Sequence, residues 1–261
     1  MNTFLHMKKA ALSFFAMSAL CLAMTTQAQA IPVDVELSLV WDVSGSISAS
    51  EYDLQRQGYA NAFQSGVVQN AINNGTHQSI AVQIVQFGTN AVVSTPWSLV
   101  TSATADAFGT FLSTLTRETT GFSTSIARGI FTARVNMTNP NGFEGVELVM
   151  DVSGDGVENV GANPLSVTAQ RDLAVAAGIT INGLPIVTSS FPNLDDYYTA
   201  NVIGGTDSFV HLANGFSDFE TAVTAKLVTE ISTLQNPEPS TMILLGTGLI
   251  GLVGYRMKKQ A

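Results

Sequence analysis

Asp42, Ser44 and Ser46 put one carboxylate and two hydroxyls on alternate residues of a short segment. Oxygen donors of this kind suit a hard divalent cation such as Mg2+ or Mn2+, which gathers oxygens in an octahedral shell. The same residues also suit a capping loop, in which Asp42 and the serines satisfy the free amides of the following helix. Two more segments carry similar atoms. Gly121-Phe122-Ser123-Thr124-Ser125 places a threonine hydroxyl where a helix opens, a position that also fits an N-cap, and Leu148-Val149-Met150-Asp151 runs into the acidic turn Ser153-Gly154-Asp155-Gly156. Asp151 falls within a buried strand pattern, where an unpaired charge is costly, so it is expected to be paired or to stand behind the donors. Asp151, Ser153, Asp155 and Gly156 also match the first half of an EF-hand calcium loop. The twelfth position is Ala162, however, where a bidentate Glu is required.

The elements that must hold these residues alternate along the chain. Strand patterns fall at 35–41, 80–87, 91–95, 146–152, 180–186 and 209–212, and helical patterns at 49–72, 105–115, 125–135, 164–177, 195–202 and 216–232. Such alternation predicts a mostly parallel sheet flanked by helices. Only Gly88-Thr89-Asn90 separates the second and third strands, so these should form a hairpin with one antiparallel strand. Ser48 or Ser50 can cap the first helix, with Glu51 and Asp53 complementing its dipole. Tyr52, Gln55, Arg56, Tyr59, Phe63 and Val67 recur at helical spacing as a packing stripe.

Charge and cysteine content narrow the function. Between residues 31 and 236, 19 acidic residues face 6 basic ones, a net charge of −13. That balance argues against nucleic acid, which needs a basic face. The single cysteine, Cys21, lies in the leader, so the remaining chain has no disulfide and no thiol nucleophile. Ser44 and Ser153 lack a Gly-x-Ser-x-Gly elbow, there is no P-loop lysine motif, and His77 and His211 read as surface or packing residues.

Both ends carry address information. Lys8 and Lys9 precede an apolar stretch that closes on Ala28-Gln29-Ala30, a signal peptide over residues 1–30 with cleavage expected before Ile31. At the other end, Pro237-Glu238-Pro239 is followed by the uncharged run 241–255 and then by Arg256, Lys258 and Lys259. Fifteen residues make a marginal transmembrane helix, with its basic end in the cytoplasm. The three parts in this order resemble the PEP-CTERM sorting signal, here residues 236–261, which implies that everything after the Pro-Glu-Pro segment is removed by an exosortase-type enzyme after transient membrane anchoring. The resemblance also implies a Gram-negative source that makes extracellular polysaccharide.

Taken together, Asp42-x-Ser44-x-Ser46, the distant Thr124 and Asp155-Gly156 resemble the metal-ion-dependent adhesion site of von Willebrand factor A domains. The resemblance spans most of residues 31–235. It implies an open Rossmann-like sheet in the order 3-2-1-4-5-6 with one antiparallel edge strand and helices on both faces. It also implies a divalent cation, Mg2+ first with Mn2+ or Ca2+ as alternatives, held by Asp42, Ser44, Ser46, Thr124 and Asp155, with Asp151 behind them. A domains usually carry Thr or Ser where this chain has Gly154, which leaves open whether Asp151 or Asp155 faces the ion. The implied role is an exported binding module of the cell envelope or extracellular matrix, its cation holding an acidic group of a protein or polysaccharide. A metal-dependent hydrolase that activates water and a structural matrix protein are the alternatives.

Overall fold

Ten consecutive residues of the first strand, Val33 to Asp42, are buried, as expected of a strand covered on both faces. This strand, β1 (Ile31–Asp42), lies at the centre of the computed structural model, which describes residues 29–160 and 166–232. It pairs in parallel with β2 (Ser79–Phe87), from Val35 opposite Ile80 to Asp42 opposite Phe87. β2 turns back into β3 (Ala91–Thr101), the antiparallel hairpin expected. β3 runs six residues beyond the expected end at residue 95, past Pro96. There the Thr95 hydroxyl accepts a hydrogen bond from the Ile84 amide at 3.0 Å, beside the register shift in the ladder, and an edge strand tolerates the proline. β4 (Phe143–Gly154) and β5 (Ile179–Pro185) are parallel, and the sheet order is β3-β2-β1-β4-β5.

The sixth strand expected at 209–212 is reduced to two isolated parallel bridges, Gly183 to Val210 and Ile186 to Ala213. The gap between them falls at Pro185, which has no amide to donate, while the His211 amide bonds the Gly183 carbonyl and the Ala213 amide the Pro185 carbonyl. Upstream, Gly204 bridges Ile181 in the antiparallel sense and the Asn182 side chain takes the Phe209 amide at 3.1 Å.

The single helix expected over 49–72 is two, α1 (Ala49–Gln64) and α2 (Gly66–Asn73). Ser65 between them is extended, and its hydroxyl donates to the Ala62 carbonyl while accepting from the Val68 amide, so one side chain closes α1 and opens α2. The break turns Val67 out of the packing stripe, leaving it 55% exposed. Ser48 starts α1 in a capping box with Glu51. The remaining helices are α3 (Ala105–Leu112), α4 (Ile126–Thr138), α5 (Val167–Ala176), α6 (Leu194–Asn201) and α7 (Phe219–Ser232), the last entered through a 3-10 turn at Phe216–Asp218.

Helices α1, α2, α3 and α7 cover one face of the sheet around Trp41, Tyr59, Phe63 and Phe219, and α4, α5 and α6 cover the other around Phe87, Ile130, Met150 and Tyr198. Trp41 stacks on Tyr59 at 4.6 Å, and Tyr59 meets the edge of Phe219 at 5.3 Å. Gly58 permits this closeness, because a Cβ there would lie 2.7 Å from the Phe219 ring. Gly58→Val should therefore lower stability by about 1–3 kcal/mol through overpacking, read as a shift in thermal unfolding. An unchanged midpoint would mean that α7 can move aside freely.

Among the described residues no helix is long and apolar enough to cross a membrane. Residues 1–28 of the expected leader, the sorting segment with its helix at 241–255, Ala162 and the start of the helix expected at 164 lie outside the described residues.

Candidate metal centre

β1 and β4 are neighbours at the point where chain order along the sheet reverses. In open α/β sheets a crevice forms there, beyond the carboxyl ends of the strands. Asp42 is the last residue of β1 and Asp155 follows the last residue of β4, so the two carboxylates come from adjacent strand ends. Three loops then close on one another. Asp42 Oδ1 accepts from the Ser44 amide at 2.8 Å, the Ser44 and Ser46 hydroxyls are 3.2 Å apart, and Ser46 donates to Asp155 Oδ1 at 2.7 Å. Thr124 Oγ1 donates to Ser44 Oγ at 3.0 Å, which joins the third segment to the other two. All five side chains singled out by sequence thus share one cluster. Asp42, Ser44, Thr124 and Asp155 are buried and Ser46 is exposed, so the cluster opens to solvent on the Ser46 side.

Gly154 has a local cause. A Cβ on it would lie 2.9 Å from Asp42 Oδ2 and 3.0 Å from the Tyr198 hydroxyl, so the space that a side chain would need is already filled.

At Asp42 burial outweighs the one nearby cation, Arg117. Burial pushes Asp42 up to about 7 despite backbone and hydroxyl bonds from Ser44, and the nearby Asp155 carboxylate adds to the rise. Asp155 is also raised, again chiefly by burial. Asp42 Oδ2 and the Tyr198 hydroxyl are buried without a hydrogen-bond partner among the described residues, a condition that normally needs an explanation. Arg117 pulls Asp42 the other way, but its guanidinium is engaged by the Val43 and Ser44 carbonyls at 2.9 and 2.8 Å. Three hydroxyls and two carboxylates, one of them with an oxygen left unpartnered among the described residues, fit a hard dication. No group of three or more His, Cys, Asp or Glu among the described residues could hold a metal, so hydroxyls would have to complete any protein shell here.

Thr124 is free of capping duty, because Ser125 is the N-cap of α4 and accepts from Arg128 N. The residues that hold Thr124 were not legible in the sequence. Its amide donates to Asn159 Oδ1 at 2.8 Å and its carbonyl accepts from the Asn159 amide at 3.0 Å. Glu158 beside it accepts from Ser125 Oγ and from the Ala127 amide, each at 3.0 Å. An acid that caps a helix from more than thirty residues downstream leaves no local signal.

Asp151 is buried and paired, as expected, and faces away from the cluster. Alternation along β4 turns Asp151 and Ser153 toward α1 and α7. Lys226 Nζ lies 2.8 Å from Asp151 Oδ1 and also bonds Glu230, with all three side chains buried. Gln55 donates to Ser153 Oγ at 3.1 Å, and the Tyr59 hydroxyl lies 3.4 Å from the same oxygen. Gln55 therefore does more than pack. Asp155 is the acid that meets the hydroxyl cluster, and the place of Asp151 on a buried strand removes the EF-hand reading. His77 precedes β2, at the opposite end of the sheet, and the His211 amide bonds the Gly183 carbonyl of β5.

The family described as Protein of unknown function (DUF1194) matches residues 32–235, and the PEP-CTERM protein-sorting motif matches residues 237–259. No curated protein sequence matches the chain. Solved structures with a similar fold include proximal thread matrix protein 1 from the mussel byssus with a zinc-occupied MIDAS motif, at 18% identity and a TM-score of 0.53, covering 80% of this chain and 49% of that one. The pilus adhesin SpaC from Lactobacillus rhamnosus GG has 14% identity and a TM-score of 0.52, covering 78% of this chain and 31% of that one. The PilB minor pilin from Streptococcus sanguinis has 13% identity and a TM-score of 0.51, covering 81% and 64%. The chain spans about half the length of the byssus protein and a third of the adhesin. At these identities the likeness establishes the von Willebrand A-like fold.

Proposed function

This chain belongs to the DUF1194 family, a von Willebrand A-like family, and from that premise we propose that its upper edge holds one divalent cation and, through it, an acidic group of an envelope or matrix partner. The observation that carries the reading is the convergence of Asp42, Ser44, Ser46, Thr124 and Asp155 from three separate segments, with Asp42 Oδ2 left without a partner among the described residues. Asp42 and Asp155 would supply the charge, and the three hydroxyls neutral oxygens. With few anionic donors the ion keeps residual positive charge, which attracts a carboxylate to a position left open on the exposed Ser46 side. The sorting motif marks an exported protein, transiently anchored in the membrane. The adhesin, pilin and byssus matrix neighbours support a surface or matrix role, and the zinc-occupied relative supports a divalent cation in general. Mg2+ remains the first choice on donor chemistry, since all the donors are oxygen. Holding a partner rather than catalysis is the role proposed.

Thermal unfolding of residues 31–235 with Mg2+, Mn2+, Ca2+ or Zn2+ against EDTA tests this. A cation at a hundred times its Kd should add about 2.7 kcal/mol to stability. Ser153→Ala supplies the control. It should destabilise by about 1–2 kcal/mol, because Gln55 loses its hydroxyl partner, yet keep the whole metal-dependent increment. Loss of that increment in Ser153→Ala, or its absence from the parent with all four ions, would overturn the assignment.

A further inference from the structure

Beside the cluster lies an open groove of about 360 Å³ between the loop after β1 and the loop before α4. Its walls include Val43, Gly45 and Ile47 on one side and Arg117, Glu118 and Phe122 on the other. Phe122 is 90% exposed, more than any other large apolar side chain described. An isolated exposed phenylalanine needs no explanation, but this one is fixed in place beside the site. Its carbonyl accepts from the Gly45 amide at 2.8 Å, and Gly45 stands between Ser44 and Ser46. A Cβ on Gly45 would meet the Phe122 ring at 3.0 Å, so the ring lies directly on the segment that carries the two hydroxyls. Thr124 follows only two residues later.

Arg117 is the one cation among the groove's lining residues. Its charge is felt at Asp42, and it is anchored to the Val43 and Ser44 carbonyls and over the Tyr52 ring. In a domain of net charge −13, the bound cation and Arg117 would make this rim the place where an incoming anion is tolerated.

We infer that the partner is a protein segment in which an acidic residue stands next to a bulky apolar one, the acid going to the cation and the apolar side chain lying in the groove against Phe122. The inference rests on the metal-dependent reading above. A sugar acid fits the groove less well. Its ring carries hydroxyls around its edge that need partners, whereas the exposed Phe122 ring offers aromatic surface, which a Leu or Phe side chain covers without leaving polar atoms unsatisfied.

The test uses residues 31–235 with saturating Mg2+ and three probes: a peptide containing Asp-Phe, the same peptide with Asp-Gly in that place, and an oligo-uronate. Calorimetric titration of Mg2+ alone is run first on the parent and on Phe122→Ser. The expected result is equal Mg2+ affinity in both proteins and Mg2+-dependent binding of the Asp-Phe peptide to the parent. That binding should weaken at least tenfold on Phe122→Ser and at least tenfold on change to Asp-Gly. Equal affinity for the two peptides, indifference to Phe122→Ser, or tighter binding of the oligo-uronate would each overturn the inference while leaving the metal reading intact. Absence of Mg2+ binding in the parent would instead remove the metal reading and the inference with it.

Discussion

Lys226→Met is expected to remove about 3–5 kcal/mol of folding stability at neutral pH, the range for stranding buried charges without their partner. Lys226 lies on α7 with Asp151 on one side and Glu230 one turn further along on the other, and none of the three is more than 1% exposed. Asn182 also donates to Glu230 Oε1 at 2.9 Å, and the Lys226 ammonium sits 5.6 Å from the Phe209 ring. Methionine fills much of the same space but leaves two carboxylates facing each other in the core. The pH dependence gives the mechanism away. Burial already pushes Glu230 up to about 7 while Lys226 holds it down, so without the lysine Glu230 should rise further. An acid whose folded pKa exceeds its unfolded value keeps more protons when folded, so stability falls as pH rises through that interval. Urea unfolding of parent and variant at pH 5 and pH 8 should show the larger deficit at pH 8. An equal deficit at both would mean that lost packing, not stranded charge, is the cause.

Asp42→Asn should change sign with the metal. Burial pushes Asp42 up to about 7 from 3.8, so holding it ionised in the metal-free fold at pH 8 costs on the order of 4 kcal/mol. Asparagine keeps an oxygen for the Ser44 amide and carries no charge. The metal-free variant is therefore expected to be more stable than the metal-free parent by about 2–4 kcal/mol at pH 8. The gap should close at pH 4, where the Asp42 carboxyl of the folded parent is neutral. With Mg2+ above a thousand times its Kd, an increment of about 4.1 kcal/mol, the order should reverse, since only the parent gains from the ion. Equilibrium unfolding in EDTA and in Mg2+ at both pH values reads all four quantities. A variant less stable than the parent in EDTA at pH 8 would mean that the Asp42 charge is already compensated within the protein.

Much of this was legible in the sequence, for identifiable reasons. Asp42, Ser44 and Ser46 sit within five residues at the end of an apolar strand, so their convergence needed only local geometry. Thr124 and Asp155 were placed by resemblance, and the structure joins them to the serines through hydrogen bonds. The break at Ser65 was missed because helical periodicity continues across Ser65-Gly66, and only the double use of one hydroxyl ends the helix. The sixth strand is interrupted by its neighbour rather than by its own residues, because Pro185 on β5 has no amide to give and the Asn182 side chain takes the Phe209 amide at its start. The partners of Asp151 were readable in principle. Lys226 and Glu230 fall on the buried face of α7, beside Leu227 and Ile231, so an ion pair in the core was to be expected there, with Asp151 on its buried strand the acid available to join it.

The central claim is that one divalent cation sits among Asp42, Ser44, Ser46, Thr124 and Asp155, and calorimetric titration of Mg2+ into residues 31–235 and into Asp42→Ala measures it directly. The account predicts a single site per chain in the parent and no measurable binding in the variant, whose fold is checked by unaltered circular dichroism. Equal Mg2+ affinity in the two proteins would contradict it, leaving Asp42, Ser44 and Ser46 as a hydrogen-bonded loop that joins β1 to α1 and nothing more.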